Sequence, residues 1–523
     1  MNDVGELMKF GVGQPLRRFE DQRLLRGRGR YQDDVVLPRQ AWCVFVRSPH
    51  AHAKIRGIDT RAAKQMPGVL AVYTGEDYRN DGLAMPKAAM PRKRADGSPA
   101  FAPQRPAIVI DRARYVGDTV AMVVAESLDQ AKDAAELVEV DYQPLPSVTD
   151  VERAARPDAP LLWDDNPDNI SHTYERGNRQ ATDAAFAGAA HILKRHYVIS
   201  RVHAQYMEPR GSIGIYDNAE DRYTLYADVN YPHRVRNMLA GMVFRVPESQ
   251  VRVIVRDVGG GFGAKGWQYV DHRLVLWAAK KLGRPVKWRC ERSETLLADE
   301  HGRDNTGTIE LAFDAGHQII GLRLHMHASI GAYVGSDRQW LTPFGMIGTV
   351  VGVYDIPAAY VSIDAVLSNT SPTAPYRGAG RPEATYLIER ALDDAAQELG
   401  IDRLELRRRN MLPPERLPFR SPLGPVYDCG EFLKNMDMTL AAADYAGFPA
   451  RREAAKARGK LRGIGVANAI EAAAGQVPEY AEIRFQPSGS ALLLLGTKTH
   501  GQGHETVFKQ ILYEKLQIDP HDV

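Results

Sequence analysis

The chain has 523 residues, 44% of them hydrophobic and 25% charged, which is ordinary globular composition but too long for a single core. Its 67 Lys and Arg stand against 65 Asp and Glu, and a net charge of +2 gives no reason to invoke nucleic acid or an anionic membrane. The three cysteines, Cys43, Cys290 and Cys429, are far apart; this argues against a disulfide framework and excludes an iron–sulfur cluster held by this chain alone.

In chain order, residues 1–19 read as a polar tail. Arg17-Arg18 is followed by polar residues from Glu20 to Arg23 where a twin-arginine signal needs apolar ones, so the pair reads as surface charge and a reducing, cytoplasmic setting fits best. Residues 20–145 alternate strands and short helices: strands at 42–46, 119–125 and 138–142, a helix at 128–138, and an exposed Pro-, Lys- and Arg-rich loop at 86–106. A polar stretch marks 146–183 as a linker. Mixed α/β structure is expected over 184–425 and a last segment over 431–523. There, 491–495 is a strand and 505–516 an amphipathic helix with Val507, Phe508, Ile511, Leu512 and Leu516 on one stripe. Residues 518–523 read as the entry to a further strand, so this last unit is expected to be incomplete, leaving a bare patch around Ile511 and Leu512.

Three glycine-rich loops carry the chemistry. The first, Val258 to Lys265, follows a strand at 251–255 and precedes a helix at 268–282. At a helix start, its free N–H groups suit a phosphate. Gly261, Gly263 and Gly266 also satisfy the dinucleotide-binding spacing, with Glu291 as the nearest acidic partner; a tight turn packing strand on helix explains the loop equally well. The second loop, Ala374 to Glu383, opens a helix running to about Leu399, with Pro382 and Glu383 suited to its first turn and Arg377 and Arg381 able to clamp phosphate. The third, Gly496 to Glu505, holds His500 and His504 without the further ligands zinc needs, and places Gln502 between two glycines. Three such loops suggest one extended phosphorylated ligand gripped from several sides.

The motifs at 259–265, 376–383 and 500–505, with Met207-Glu208-Pro209 and 284–288, resemble the molybdopterin loops of the xanthine dehydrogenase family, and the likeness runs from about Leu16 to Val523. Within the family the chain is most similar to the large subunits of aerobic carbon monoxide dehydrogenase-like enzymes. The resemblance implies a mixed α/β multidomain fold: an α/β hammerhead domain at 20–145, a first molybdopterin-binding domain at 184–425, and part of a second at 431–523. It implies molybdopterin cytosine dinucleotide as cofactor, with molybdenum held through the pterin dithiolene and not by protein ligands. By correspondence, Gly260, Gly261, Phe262, Gly263, Asn230, Arg377, Gly501, Gln502 and Gly503 would bind the cofactor, with Phe262 and Arg377 at the reacting centre. The implied activity is oxidation of an aldehyde or N-heterocycle with water as oxygen source. Electrons would pass to a partner subunit carrying 2Fe-2S clusters and then to an FAD subunit.

Three departures stand out. Asn230 occupies the position where the family usually has Gln, one methylene longer. The arginine loop, Arg377-Gly-Ala-Gly-Arg381, has no cysteine for the copper of true carbon monoxide dehydrogenases, so carbon monoxide oxidation is rejected. The family's catalytic glutamate belongs to a segment not found in these residues, and it is expected from a continuation or a separate C-terminal molybdopterin-domain polypeptide. Two other readings remain: a nicotinamide-dependent dehydrogenase using the 261–266 loop, and a degenerate, non-catalytic cofactor-binding subunit.

Overall fold

Runs rich in Val, Ile and aromatic residues build two large sheets. The computed structural model describes residues 10–471 and 479–523; residues 1–9 of the expected tail and 472–478 of the last segment lie outside the described residues. The strands before residue 145 are β1 (Ala41–Arg47), β2 (Ala53–Asp59), β3 (Val69–Thr74), β4 (Arg112–Ala113), β5 (Thr119–Ala125) and β6 (Glu139–Pro144). There follow β7 (Ile170–Gly177), β8 (His191–Ile199), β9 (Gly211–Asp217), β10 (Arg222–Ala227), β11 (Val251–Ile254) and β12 (Val286–Arg289). Then come β13 (Asn305–Phe313), β14 (Ile319–Gly331) and β15 (Ala359–Leu367).

The first sheet has the order β11-β10-β9-β12-β1-β5-β3. β1 runs parallel to β12, with Ala41 opposite Val286, so strands from either side of the expected linker share one ladder. β5 lies between β1 and β3, and all seven of its residues are buried, as its unbroken apolar run demands. The second sheet has the order β7-β15-β14-β13-β8 and carries the largest apolar cluster on its β13, β14 and β15 strands.

Helix α1 (Leu128–Glu136) begins at a Ser127–Gln130 capping box, readable as Ser-x-x-Gln. Helix α2 (Val270–Leu282) is buried from Val270 to Ala279 and ends at Gly283 in the left-handed region. Helix α3 (Arg381–Leu399) has proline in its first turn and closes at Gly400, while α4 (His504–Leu516) starts at Gly503.

The stretch expected as a linker carries structure: Ile170–Gly177 is an edge strand paired with β15. Its polar side chains have partners, which composition alone misreads. Ser171 Oγ donates to the Phe101 carbonyl at 2.7 Å, and Thr173 Oγ1 donates to Asp364 Oδ1 at 2.7 Å. The expected strand entry at 518–523 is instead a 3-10 turn over Pro520–Asp522, where Asp519 caps the His521 N–H and Pro520 takes the first position. The apolar stripe of α4 is divided: Leu512 is buried, while Val507, Ile511 and Leu516 are exposed. No helix among the described residues is long and apolar enough to cross a membrane.

His272, in the first turn of α2, is buried, and burial lowers its pKa from 6.5 to about 4. The unfolded chain therefore takes up this proton as pH falls through 6.5, whereas the folded chain resists until about 4. Stability from this group is present above 6.5 and lost on the way to 4. His272→Gln keeps an acceptor for the Tyr269 N–H and cannot titrate. Chemical unfolding at a series of pH values should show wild type losing about 3 kcal/mol relative to this variant across that window. Parallel pH curves would contradict a neutral buried imidazole.

Candidate functional site

A cavity of about 860 Å³ opens where the three glycine loops meet, although more than two hundred residues separate the first from the third. The first loop is held from behind. Glu208 accepts the Gly259 N–H on Oε2 at 2.7 Å and the Gln32 N–H on Oε1 at 3.0 Å. Lys265, fully buried, donates to the Glu208 carbonyl at 2.8 Å and forms ion pairs with the Glu208 and Asp228 carboxylates. Buried Arg338 donates to the Gly263 and Ala264 carbonyls at 2.9 and 2.7 Å and pairs with Glu300. Glu208 thus serves as a brace, with both carboxylate oxygens committed.

This loop does not sit at the helix N-terminus that its sequence suggests. Residues 264–269 intervene before α2 in a buried turn, with Tyr269 donating its hydroxyl to the Ala264 carbonyl at 2.8 Å. The first loop therefore lies outside the reach of the α2 macrodipole. That removes the geometric ground for a nicotinamide dinucleotide, whose pyrophosphate would rest on that helix end. The second and third loops do cap helices, through Gly380 and Gly503.

The first and second loops are joined directly. The Arg377 N–H donates to the Phe262 carbonyl at 3.0 Å, and a Cβ added to Gly263 would fall 2.3 Å from the Pro375 carbonyl oxygen. Arg303 gathers the second loop by donating to the Tyr376 and Arg377 carbonyls at 3.4 and 3.1 Å and pairing with Glu383. Phe262, Ala379 and Gln205 all line the cavity and all have positive φ, at 50°, 45° and 44°. Non-glycine residues in that region each cost roughly 1–3 kcal/mol and persist where their surroundings over-determine them.

The third loop is tied to the first by residues that sequence reading leaves in or beside a polar tail. Arg23 donates to both Asp257 oxygens at 2.5 and 2.9 Å and reaches Glu505 at 3.3 Å. Glu20 accepts the Thr506 hydroxyl at 2.6 Å, and Arg18 donates to the Gly501 carbonyl at 3.3 Å. Arg18, Glu20, Arg23 and Asp257 line the cavity, which corrects the reading of Arg18 as tail charge. No local signal marks these ties, whose two ends lie 234 to 486 residues apart.

Gly260, Phe262, Gly263, Arg377, Gly501 and Gln502 form part of the cavity wall. The Gln502 amide turns toward its own loop, accepting the His500 N–H at 2.5 Å. The guanidinium of Arg377 is exposed and meets no partner among the described residues. Gly503 is buried at the start of α4. Gly261 and Asn230 lie together: Asn230 is buried, and a Cβ on Gly261 would fall 2.6 Å from its Oδ1. That oxygen has no hydrogen-bond partner among the described residues. An orphaned buried acceptor beside a glycine loop that admits no side chain fits a site for a polar ligand.

Known proteins resemble this chain in sequence and fold. Family models described as "Molybdopterin cofactor-binding domain" cover residues 162–411 and 438–523, and one described as "Aldehyde oxidase and xanthine dehydrogenase, a/b hammerhead domain" covers 26–146. The carbon monoxide dehydrogenase large chain of Afipia carboxidovorans is 36% identical, over 98% of this chain and 66% of its own length. The nicotine 6-hydroxylase large subunit of Paenarthrobacter nicotinovorans is 34% identical, over 97% of this chain and 62% of its own. A solved Cu,Mo-CO dehydrogenase superposes with a TM-score of 0.87 at 34% identity, over 98% of this chain and 67% of that one.

This chain belongs to the xanthine dehydrogenase family.

It is similar to the family's molybdenum-binding large subunits, and it spans about two thirds of the length of the curated relatives it matches. The mixed α/β fold, with a hammerhead segment ahead of molybdopterin-binding domains, is the family's.

Proposed function

We propose that the cavity binds molybdopterin cytosine dinucleotide, and that the protein oxidises an N-heterocycle as the large subunit of a molybdenum hydroxylase. The observation that carries this reading is the meeting of three glycine loops around one cavity, with the Asn230 oxygen unpartnered beside Gly261. About 860 Å³ is ample for a dinucleotide-sized group. Gly260 and Gly263 bring backbone to the cavity surface. Arg377 offers a free guanidinium for an anionic group, and Gly501, Gln502 and Gly503 supply the opposite wall and its helix start. Asn230 fits as a polar contact, with a shorter reach than the glutamine usual in the family. When bound, the cofactor supplies two-electron oxidation with water as the source of oxygen. The chain's part is to hold it, with Phe262 presenting an apolar face and Met207 standing exposed at the entrance.

The names of the relatives narrow the substrate. The nicotine hydroxylase acts on a nitrogen heterocycle, which favours that class over an aldehyde. Carbon monoxide is disfavoured by the donor set. Cys43 and Cys290 are buried, Cys429 is exposed, and none of them lines the cavity where a copper thiolate would be needed. An iron–sulfur subunit and an FAD subunit are the proposed electron acceptors. The test is dye reduction by the complex purified with its co-expressed subunits: pyridine- or quinoline-type compounds should reduce the dye and carbon monoxide should not. Reduction by carbon monoxide alone would overturn the reading.

Arg377→Ala should lower turnover by about 10²-fold, with loss of molybdenum if the arginine also secures the cofactor. Arg452→Ala, on the exposed helix Phe448–Lys456, is the control and should change neither. Equal activity and metal content in the two variants would count against the assignment of Arg377.

A further inference from the structure

Away from the cavity, one face of the second sheet gathers imidazoles and carboxylates. His325 and His327 are two residues apart on β14, so they project from the same face. The parallel register with β15 sets Asp364 directly opposite His327. The Nε2 atoms of His327 and His325 lie 3.6 and 3.9 Å from Asp364 Oδ2. One ligand atom from each of the three residues lies within 4.8 Å of the other two, the only such group of three among the described residues. The imidazole rings are nearly perpendicular and 5.2 Å apart, so they do not stack.

The carboxylate is held for this task. Thr173 on β7, opposite Asp364 in the register, donates its hydroxyl to Asp364 Oδ1 at 2.7 Å and leaves Oδ2 to the histidines. Among the described residues no lysine or arginine forms an ion pair with Asp364. The group is accessible: the His325 side chain is about half exposed, and those of His327 and Asp364 retain 22% and 14% exposure. Burial lowers the His327 pKa, which favours the neutral ring that can act as a ligand. Beside the cluster, His196 on β8 pairs with Glu152 at 3.4 Å.

We propose that His325, His327 and Asp364 form a binding site for a borderline divalent transition metal ion such as Zn(II), separate from the cofactor cavity. Two imidazole nitrogens and one carboxylate oxygen suit Zn(II) or Co(II), whereas Ca(II) and Mg(II) take oxygen ligands. Ligand atoms on a tetrahedral zinc sit about 3.3 Å apart. Small side-chain adjustments therefore close the 3.6 and 3.9 Å separations, and solvent completes the fourth position. Thr173 acts as a positioning residue through its hydrogen bond to the carboxylate. A bound ion would cross-link β14 to β15.

The test is titration of Co(II) into the full chain loaded with its own cofactor, reading metal-difference absorption, with Zn(II), Ca(II) and Mg(II) as competitors. Wild type should take up one more equivalent of Co(II) than His325→Gln or Asp364→Asn, with the intense ligand-field bands of four-coordination. Zn(II) should displace it and Ca(II) and Mg(II) should not. Thr173→Val should weaken binding by about tenfold without abolishing it. His325 is half-exposed, so its substitution leaves the fold intact, and thermal unfolding of each variant checks this. Equal uptake by wild type and His325→Gln would overturn the proposal, as would weak bands of six-coordination alone.

Discussion

Gly263→Ala is expected to part the first two loops and empty the site. Gly263 has a φ of +98°, a conformation open to glycine and strained for alanine. That strain alone amounts to roughly 1–3 kcal/mol. The added methyl carbon would also fall 2.3 Å from the Pro375 carbonyl oxygen, a backbone atom that cannot swing aside as a side chain can. Relief requires the second loop to move away, which breaks the hydrogen bond from the Arg377 N–H to the Phe262 carbonyl. Molybdenum content should fall at least about tenfold while global folding survives, because the change is confined to loop contacts. Metal analysis beside circular dichroism separates the two effects. Wild-type metal content in the variant would show that this close approach does not matter to the site.

Lys265→Met should be the most destabilising single change near the cavity. The lysine is buried, with its ammonium between the Glu208 and Asp228 carboxylates. Burial raises the Asp228 pKa, against the pull of Lys265. Removing the cation leaves two carboxylates facing each other in a low-dielectric space, a loss of about 3–5 kcal/mol. Glu208 also accepts the Gly259 N–H, so the first loop should loosen with it. Urea unfolding measures the loss. A second variant adding Asp228→Asn should recover part of it by removing one orphaned charge. A Lys265→Met protein as stable as wild type would contradict the bracing role given to this lysine.

The parts of the fold set by local chemistry were legible in sequence. The apolar run at 119–125 is a buried strand at its expected bounds, and the helix expected at 128–138 runs from Leu128 to Glu136. The strand at 491–495 and the helix ends at Leu399 and Leu516 follow from runs and stop signals in the same way. What failed depends on contacts between distant segments. Strand Ile170–Gly177 reads as a linker because its polar Ser171 and Thr173 draw their partners from residues 101 and 364. The first glycine loop reads as a helix start because spacing does not reveal the buried turn at 264–269. Arg18 reads as surface charge, and Arg23 passes unnoticed, because the carbonyl and carboxylates they meet come from the far end of the chain and from Asp257. Among the cavity residues, the glycines announce themselves by clustering. The ionic ties that bring their loops together do not.

That this cavity holds a molybdenum–pterin dinucleotide is the proposal on which the others rest. Its most direct test is the composition of the full chain purified from a host that makes the cytosine dinucleotide cofactor. Molybdenum is measured by mass spectrometry, and the nucleotide is released by mild acid. Molybdenum and cytidine monophosphate are expected in equal amounts in wild type, both lost together in Gly263→Ala. Wild-type protein carrying a nicotinamide dinucleotide, or a Gly263→Ala variant retaining as much molybdenum as wild type, would contradict this occupant.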